Sequence, residues 1–171
     1  MDYKSVMIHI RYMSDIALVT WPLRRPQSGM AIFTPKLDVD GVNALFARAF
    51  PGAGQSKTIL VTSVTPGRIA MTGYYREGLL RPGGVISGPT LMSLADSAAY
   101  ALVLAHIGDQ LMAVTSQLNM SFLRGAKPGD MYADAELLRL GRKLAVCDVR
   151  IWTESPERLA AQANVTYAIP G

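Results

Sequence analysis

The sequence predicts an α+β domain in which a curled antiparallel sheet wraps around one long central helix, and three observations carry that prediction. From Thr90 to Ala105 the residues are mostly Leu, Ala, Met, Val and Tyr on every side of the cylinder, the pattern of a helix enclosed on nearly all sides rather than one with a single apolar stripe. Beyond Gly108 the pattern turns to period two: Met112, Val114, Leu118, Met120 and Phe122 alternate with Ala113, Thr115, Gln117, Asn119 and Ser121, giving one apolar and one polar face. The element order is helix, two strands, long helix, four strands. It lacks the strand–helix alternation that a parallel sheet would show.

Residues 1–29 share no pattern with the rest. Arg11, Asp15, Arg24 and Arg25 interrupt their apolar residues, so no span approaches the ~20 apolar residues of a membrane helix, and the outline of a secretory signal is missing. They are expected to be an extension outside a single domain of residues 30–171, with translation beginning at Met30, or else a loosely attached arm. A first amphipathic helix is expected within residues 36–51, from the helical spacing of Val39, Val42, Leu45, Phe46, Ala49 and Phe50; Asp38 or Asp40 starts it and Pro51-Gly52 stops it. The runs Thr58–Val64 and Arg68–Tyr75, split by Thr65-Pro66-Gly67, read as a hairpin. A glycine-rich turn with Gly83, Gly84 and Gly88 leads into the long helix. Ser87 or Gly88 is its expected N-cap, and Pro89 suits the first helical position. The runs 112–122, 131–140, 144–152 and 159–168 are the last four strands, parted by turns at 125–129, 141–143 and 154–157.

Half of the 171 residues are hydrophobic and 18% are charged, which marks a globular chain long enough for a good core. The net charge of +4 suggests an anionic partner. Lys and Arg are scattered, so a small phosphorylated ligand suits the chain better than nucleic acid, which calls for a clustered basic face. Neither a nucleic-acid nor a membrane partner is expected. The single cysteine, Cys147, excludes an intramolecular disulfide and suits a reducing, cytoplasmic setting. In its strand it reads as an inert core thiol. With His9 and His106 the only histidines, a metal site or a histidine triad has little support. No P-loop and no dinucleotide fingerprint is present.

Asp96 is the only charge in the long helix. A carboxylate in such a place must be paired, hydrogen-bonded or shifted in pKa, which makes it a candidate site residue. The alternative is a thin wet stripe shared with Ser93 and Tyr100, three and four residues away on the same face.

The stretch from Arg81 to His106, RPGGVISGPTLMSLADSAAYALVLAH, and the element order around it resemble the hotdog-fold acyl-CoA thioesterases of the phenylacetate-degradation and hydroxybenzoyl-CoA type. The resemblance covers about residues 38–169. In that family a turn of the form N-P-x-G-x-x-H-G-G enters the central helix and an acid follows seven residues after its last glycine. The matching residues are Arg81, Pro82, Gly83, Gly84, Val85, Ile86, Ser87, Gly88 and Pro89, with Asp96 at the acid position. S-L-A-D-S-A from Ser93, N-x-S-F-L-R at Asn119–Arg124 and L-G-R-K-L-A at Leu140–Ala145 are also typical. Ser87 replaces the histidine, Pro89 a glycine, and Arg81 the polar amide that helps to orient the thioester.

The resemblance implies hydrolysis of an acyl-CoA thioester, with Asp96 as base or nucleophile, the Gly88 amide as oxyanion donor at the helix N-terminus, and Ser87 beside it. Coenzyme A enters as part of the substrate and no other cofactor is implied. Arg124, Lys127, Arg142 and Lys143 are candidates to meet its phosphates, with ordinary solvated turn charge as the alternative. Arg81, Gly84, Tyr100 and Asn119 complete the candidate substrate contacts, the last two in the acyl pocket. Gly88 and Asp96 are about 12 Å apart along a helix, too far for one carbonyl to touch both. The site is therefore expected to form between two copies, as a homodimer or homotetramer. A hotdog hydratase or dehydratase and a non-catalytic acyl-binding protein are the alternatives. The first would want a histidine in the turn; the second is favoured by the changes at Ser87 and Arg81.

Overall fold

The computed structural model describes residues 33–50 and 58–171, which belong to one unit, Phe33–Gly171; the extension expected at residues 1–29 lies outside the described residues. Helix α1 (Val39–Ala49) starts where Asp38 accepts a 2.9 Å bond from the Gly41 amide, the usual way of satisfying a first-turn donor. It buries Val42 and Leu45. Strands β1 (Ile59–Thr65) and β2 (Arg68–Gly73) form the expected hairpin, with Gly67 at φ +72° in its turn.

Where the sequence predicts only a flexible turn, the chain makes a short 3-10 turn at Glu77–Leu79 and a two-residue hairpin, β3 (Leu80–Arg81) with β4 (Val85–Ile86). Gly83 and Gly84 close it at φ +100° and +69°, backbone that glycine adopts without strain. The Ile86 amide bonds the Ala126 carbonyl and the Ser87 amide the Leu79 carbonyl, each at 2.9 Å, so this hairpin is anchored on both sides of the helix start.

Helix α2 (Gly88–Ile107) is followed by β5 (Val114–Phe122), β6 (Met131–Leu140), β7 (Leu144–Trp152) and β8 (Ala161–Ala168). Six strands form one antiparallel sheet in the order β1-β2-β6-β7-β8-β5, and α2 touches every strand of it. Small residues meet at the crossing: Ala95, Ala98, Ala99 and Ala101 on the helix, Ala133, Ala135, Ala145, Ala161 and Ala163 on the strands, all buried. They let the helix backbone come close to the sheet, and Leu102, Leu104, Leu137, Val149 and Ile151 fill the remaining space at the density native cores require. All residues from Ala98 to His106 are buried, whereas Met92 and Ser93 are exposed. The helix is enclosed over its second half and open along one stripe of its first.

Register shifts interrupt three strand pairs: between Val61 and Ser63, between Thr115 and Gln117, and between Leu137 and Arg139. Each inserts an extra residue and reverses the facing of what lies beyond it. The second of these matters most for the site.

His106, near the end of α2, is 3% exposed. Its Nε2 accepts the Gly67 amide at 3.0 Å and its Nδ1 lies 2.8 Å from the Leu102 carbonyl, which fixes the neutral tautomer with the proton on Nδ1. Burial pushes its pKa below the ordinary value, outweighing the backbone carbonyls that pull it up. The unfolded chain, with a histidine pKa of about 6.5, therefore binds more protons than the fold at mildly acid pH. The neutral ring's contribution is complete above that value and is lost as pH falls below it. The melting temperature of the wild-type protein is thus expected to fall more steeply between pH 7 and 5 than that of His106→Gln, measured by calorimetry; parallel curves would remove His106 from the acid sensitivity.

Candidate active site

Ser87 holds the N-cap position of α2 with extended backbone, φ −71° and ψ 148°, yet makes no side-chain capping bond. Its hydroxyl lies 2.8 Å from Thr90 Oγ1 instead. The first-turn amides, that of Gly88 among them, thus face outward without a side-chain cap, at the positive end of the helix dipole, where such donors attract anions. A Cβ on Gly88 would stand 3.4 Å from Phe122 Cζ, so the end of β5 lies against this helix start.

Asp96 is partly buried. Its Oδ1 accepts two hydroxyl bonds, from Thr115 at 2.6 Å and from Tyr167 at 2.8 Å, and the Tyr167 hydroxyl also reaches the Asp96 carbonyl at 3.2 Å. The expected pairing of this acid is met by hydrogen bonds. The stripe beside it is only partly wet, since Ser93 is exposed while Tyr100 is buried.

Neither hydroxyl partner was among the candidate residues, and the reason is the irregularity in β5. Simple alternation puts Thr115 on the polar face with Gln117 and Asn119. The extra residue, Ser116, reverses the facing: Thr115 pairs with the inward Tyr167, while Gln117 and Asn119 pair with Thr166 and Asn164 on the outer face. Thr115 is turned toward α2 and Val114 away from it, 55% exposed. Tyr167 is legible only as an inward position of an alternating strand, with no cue to its partner.

The remaining candidates divide by location. Arg81 and Gly84 are exposed in the β3–β4 hairpin at the Gly88 end of α2. Arg124 and Lys127 lie in the loop that this hairpin bonds through Ala126; Arg124 also bonds the Leu159 carbonyl at 2.8 Å and Lys127 pairs with Glu154 at 2.8 Å, both exposed. Arg142 and Lys143 sit in the β6–β7 turn, beside the Thr115 end of β5, since the Ile169 amide bonds the Lys143 carbonyl and Leu144 and Val114 both pair with Ala168. The basic groups thus form two clusters, one at each end of β5.

A cavity of about 700 Å³ opens between α1, β1, β2 and the first half of α2. Phe46, Phe50, Val61, Leu94 and Met131 form its apolar walls, and Pro89, Thr90, Ser93 and Ser97 bring α2 into it from the first turn onward. Two acyl-pocket candidates lie outside this cavity. Asn119 is on the outer face of the sheet, opposite Asn164. Tyr100 is buried, with its hydroxyl on the Leu111 carbonyl and its ring between those of Phe46, Phe50 and Tyr167; it backs Phe46 and Phe50 rather than lining the cavity. Cys147 is buried, and burial pushes its thiol up to about 12, which keeps it protonated and inert. Among the described residues no cluster of three or more His, Cys, Asp or Glu side chains could hold a metal.

The thioesterase superfamily model matches residues 83–160, the span from the β3–β4 turn to the start of β8. A crystal structure from a Silicibacter species, provisionally named as a thioesterase, is 38% identical; the match covers 81% of this chain and 96% of that one with a TM-score of 0.74. Zebrafish thioesterase superfamily member 2, 22% identical with a TM-score of 0.68 over 79% of this chain and 100% of its own, shares the fold. A Thermoplasma acidophilum protein provisionally named as an esterase is 26% identical over 109 residues, 64% of this chain and 81% of its own. An uncapped helix start, an acid two turns along the same helix and these likenesses agree: the chain belongs to the thioesterase superfamily, the thioester hydrolases of the hotdog fold.

Proposed function

We propose that the chain hydrolyses acyl-CoA thioesters at sites shared by two copies, in which Asp96 of one copy acts as general base and the Gly88 amide of the other holds the oxyanion. The observation that carries this is the position of the two groups relative to β5. Thr115, bonded to Asp96, is at one end of that strand and Phe122, against Gly88, at the other. Among the described residues β5 is the last strand of the sheet, paired to β8 alone, and Val114, Phe122 and Met92 are exposed near it.

A free, partly apolar edge of this kind invites pairing with a second copy. Two β5 strands joined antiparallel about a two-fold axis near Leu118 and Asn119 would bring residue 115 of each copy close to residue 122 of the other. Such an isologous contact converts two half-sites about 12 Å apart on one helix into two complete sites. It also brings Arg124 and Lys127 of one copy toward Arg142 and Lys143 of the other, a basic surface suited to coenzyme A phosphates. The acyl group then has the apolar cavity, which begins at Pro89 and Thr90 beside the oxyanion donor.

In this reading a water gives its proton to Asp96 as its oxygen attacks the thioester carbon. The carbonyl oxygen takes the negative charge and is met by the Gly88 N–H. Collapse breaks the carbon–sulfur bond, and the thiolate of coenzyme A takes the proton back from the Asp96 carboxyl. His106 has no part in it: both of its ring nitrogens are engaged and it is buried, which also weakens a hydratase reading.

Acetyl-, butyryl-, octanoyl-, palmitoyl- and phenylacetyl-CoA, followed with a thiol-detecting reagent, test the reaction; a folded protein that releases no thiol from any of them overturns it. Asp96→Asn is expected to lower turnover about 10²–10⁴-fold, the size of a lost general base. Its melting temperature should be almost unchanged, since the amide oxygen still accepts both hydroxyls. Asp96→Ala leaves the buried Tyr167 hydroxyl only its longer bond to the residue 96 carbonyl and should cost about 1–3 kcal/mol in denaturant unfolding. Gly88→Pro removes the oxyanion N–H at a position proline favours. Mixing refolded Asp96→Asn and Gly88→Pro subunits should restore activity, because each hybrid dimer holds one intact site; a mixture no more active than its parents would place both groups in one subunit.

A further inference from the structure

We infer that Tyr167 is a positioning residue, whose hydroxyl holds one oxygen of Asp96 so that the other faces the attacking water. This rests on the assignment of Asp96 as the base. Among the described residues no Lys, Arg or His stands within ion-pair distance of Asp96, so hydroxyl donors do the work that a cation does elsewhere. Thr115 and Tyr167 both donate to Oδ1, at 2.6 and 2.8 Å. With one oxygen engaged twice and the Asp96 carbonyl also tied to Tyr167 at 3.2 Å, the carboxylate plane is set and Oδ2 is the oxygen left to take a proton.

Packing alone does not call for a tyrosine there. The other inward residues of β8 are Ala161, Ala163 and Val165, and phenylalanine would supply the same ring against Tyr100, whose centroid is 5.6 Å away at an interplanar angle of 24°. The ring is 3% exposed, so its hydroxyl is committed to partners within the fold, and those partners are Asp96 and its neighbour Thr115. The groups around the carboxylate are Thr115 from β5, Tyr167 from β8, and on α2 Tyr100, itself under the influence of Asp109. Burial pushes Tyr167 far above the ordinary tyrosine range, and the Asp96 charge adds to this. It therefore remains a donor at any pH where the enzyme works, unlike a histidine in the same place.

The test compares wild type, Tyr167→Phe and Asp96→Asn on the fastest ester of the acyl-CoA panel, with kcat, KM and melting curve for each. In Tyr167→Phe the carboxylate has one donor fewer to fix its plane, so the loss is expected in kcat rather than in KM. Turnover should fall by about 3- to 10-fold, a fraction of the loss of the base itself, with KM within about twofold and the ring stack keeping the melting temperature close to wild type. Incorporation of 3-fluorotyrosine at position 167 keeps the hydroxyl donor and the packing, and should keep the turnover of wild type. Turnover unchanged in Tyr167→Phe beside an inactive Asp96→Asn would overturn the role of Tyr167 and leave the base in place. Turnover that falls only in step with stability overturns it as well. Full activity in Asp96→Asn would instead sink the base assignment.

Discussion

A helix apolar around its whole girth cannot rest on a flat sheet, and that constraint organises this domain. Any side of α2 left in water would give up the gain from burying its Leu and Val residues, roughly 1.5–3 kcal/mol for each fully buried side chain. The strands must therefore curl until all six touch the helix. Alanines on both surfaces allow the close approach, and the cost of enlarging one of them explains why the largest side chains gather beside the crossing instead.

The enclosure stops short at one place. Among the described residues β5 ends the sheet with no strand on its outer edge, and the first half of α2 shows Met92 and Ser93 to solvent beside it. The groups proposed for catalysis collect along this incomplete side: the helix start at Gly88, the carboxylate of Asp96, and the cavity entered at Pro89 and Thr90. The same constraint thus accounts for a closed half that carries stability and an open half that holds the proposed site. Asp96 can be partly accessible there while its Oδ1 is held from the sheet, an arrangement the closed half, from Ala98 onward, has no room for.

The long buried helix and all six strands of the main sheet lie within a residue or two of their expected bounds, because period-two and all-round apolar patterns extend over many residues and one local irregularity does not erase them. The glycine turn before α2 was visible as a turn, but its folding into the β3–β4 hairpin depends on bonds from Ile86 and Ser87 to Ala126 and Leu79, partners that local composition does not announce. Within the site, Gly88 and Asp96 could be singled out because each is exceptional in its own neighbourhood: a helix start rich in glycine, and a lone charge in an apolar run.

What the sequence determined by itself is therefore the set of elements, the core helix, and the two groups at the head and the middle of it. What only the tertiary structure decided is which side chains meet them. One extra residue at Ser116 turns Thr115 inward onto Asp96 while Gln117 and Asn119 keep the outer face. The antiparallel pairing of β5 with β8 brings Tyr167 to the same carboxylate across 71 residues of chain. The physical reason is the pleat: facing alternates residue by residue, so a single insertion reverses it, and its place is set by how strands pair rather than by any residue's own preference.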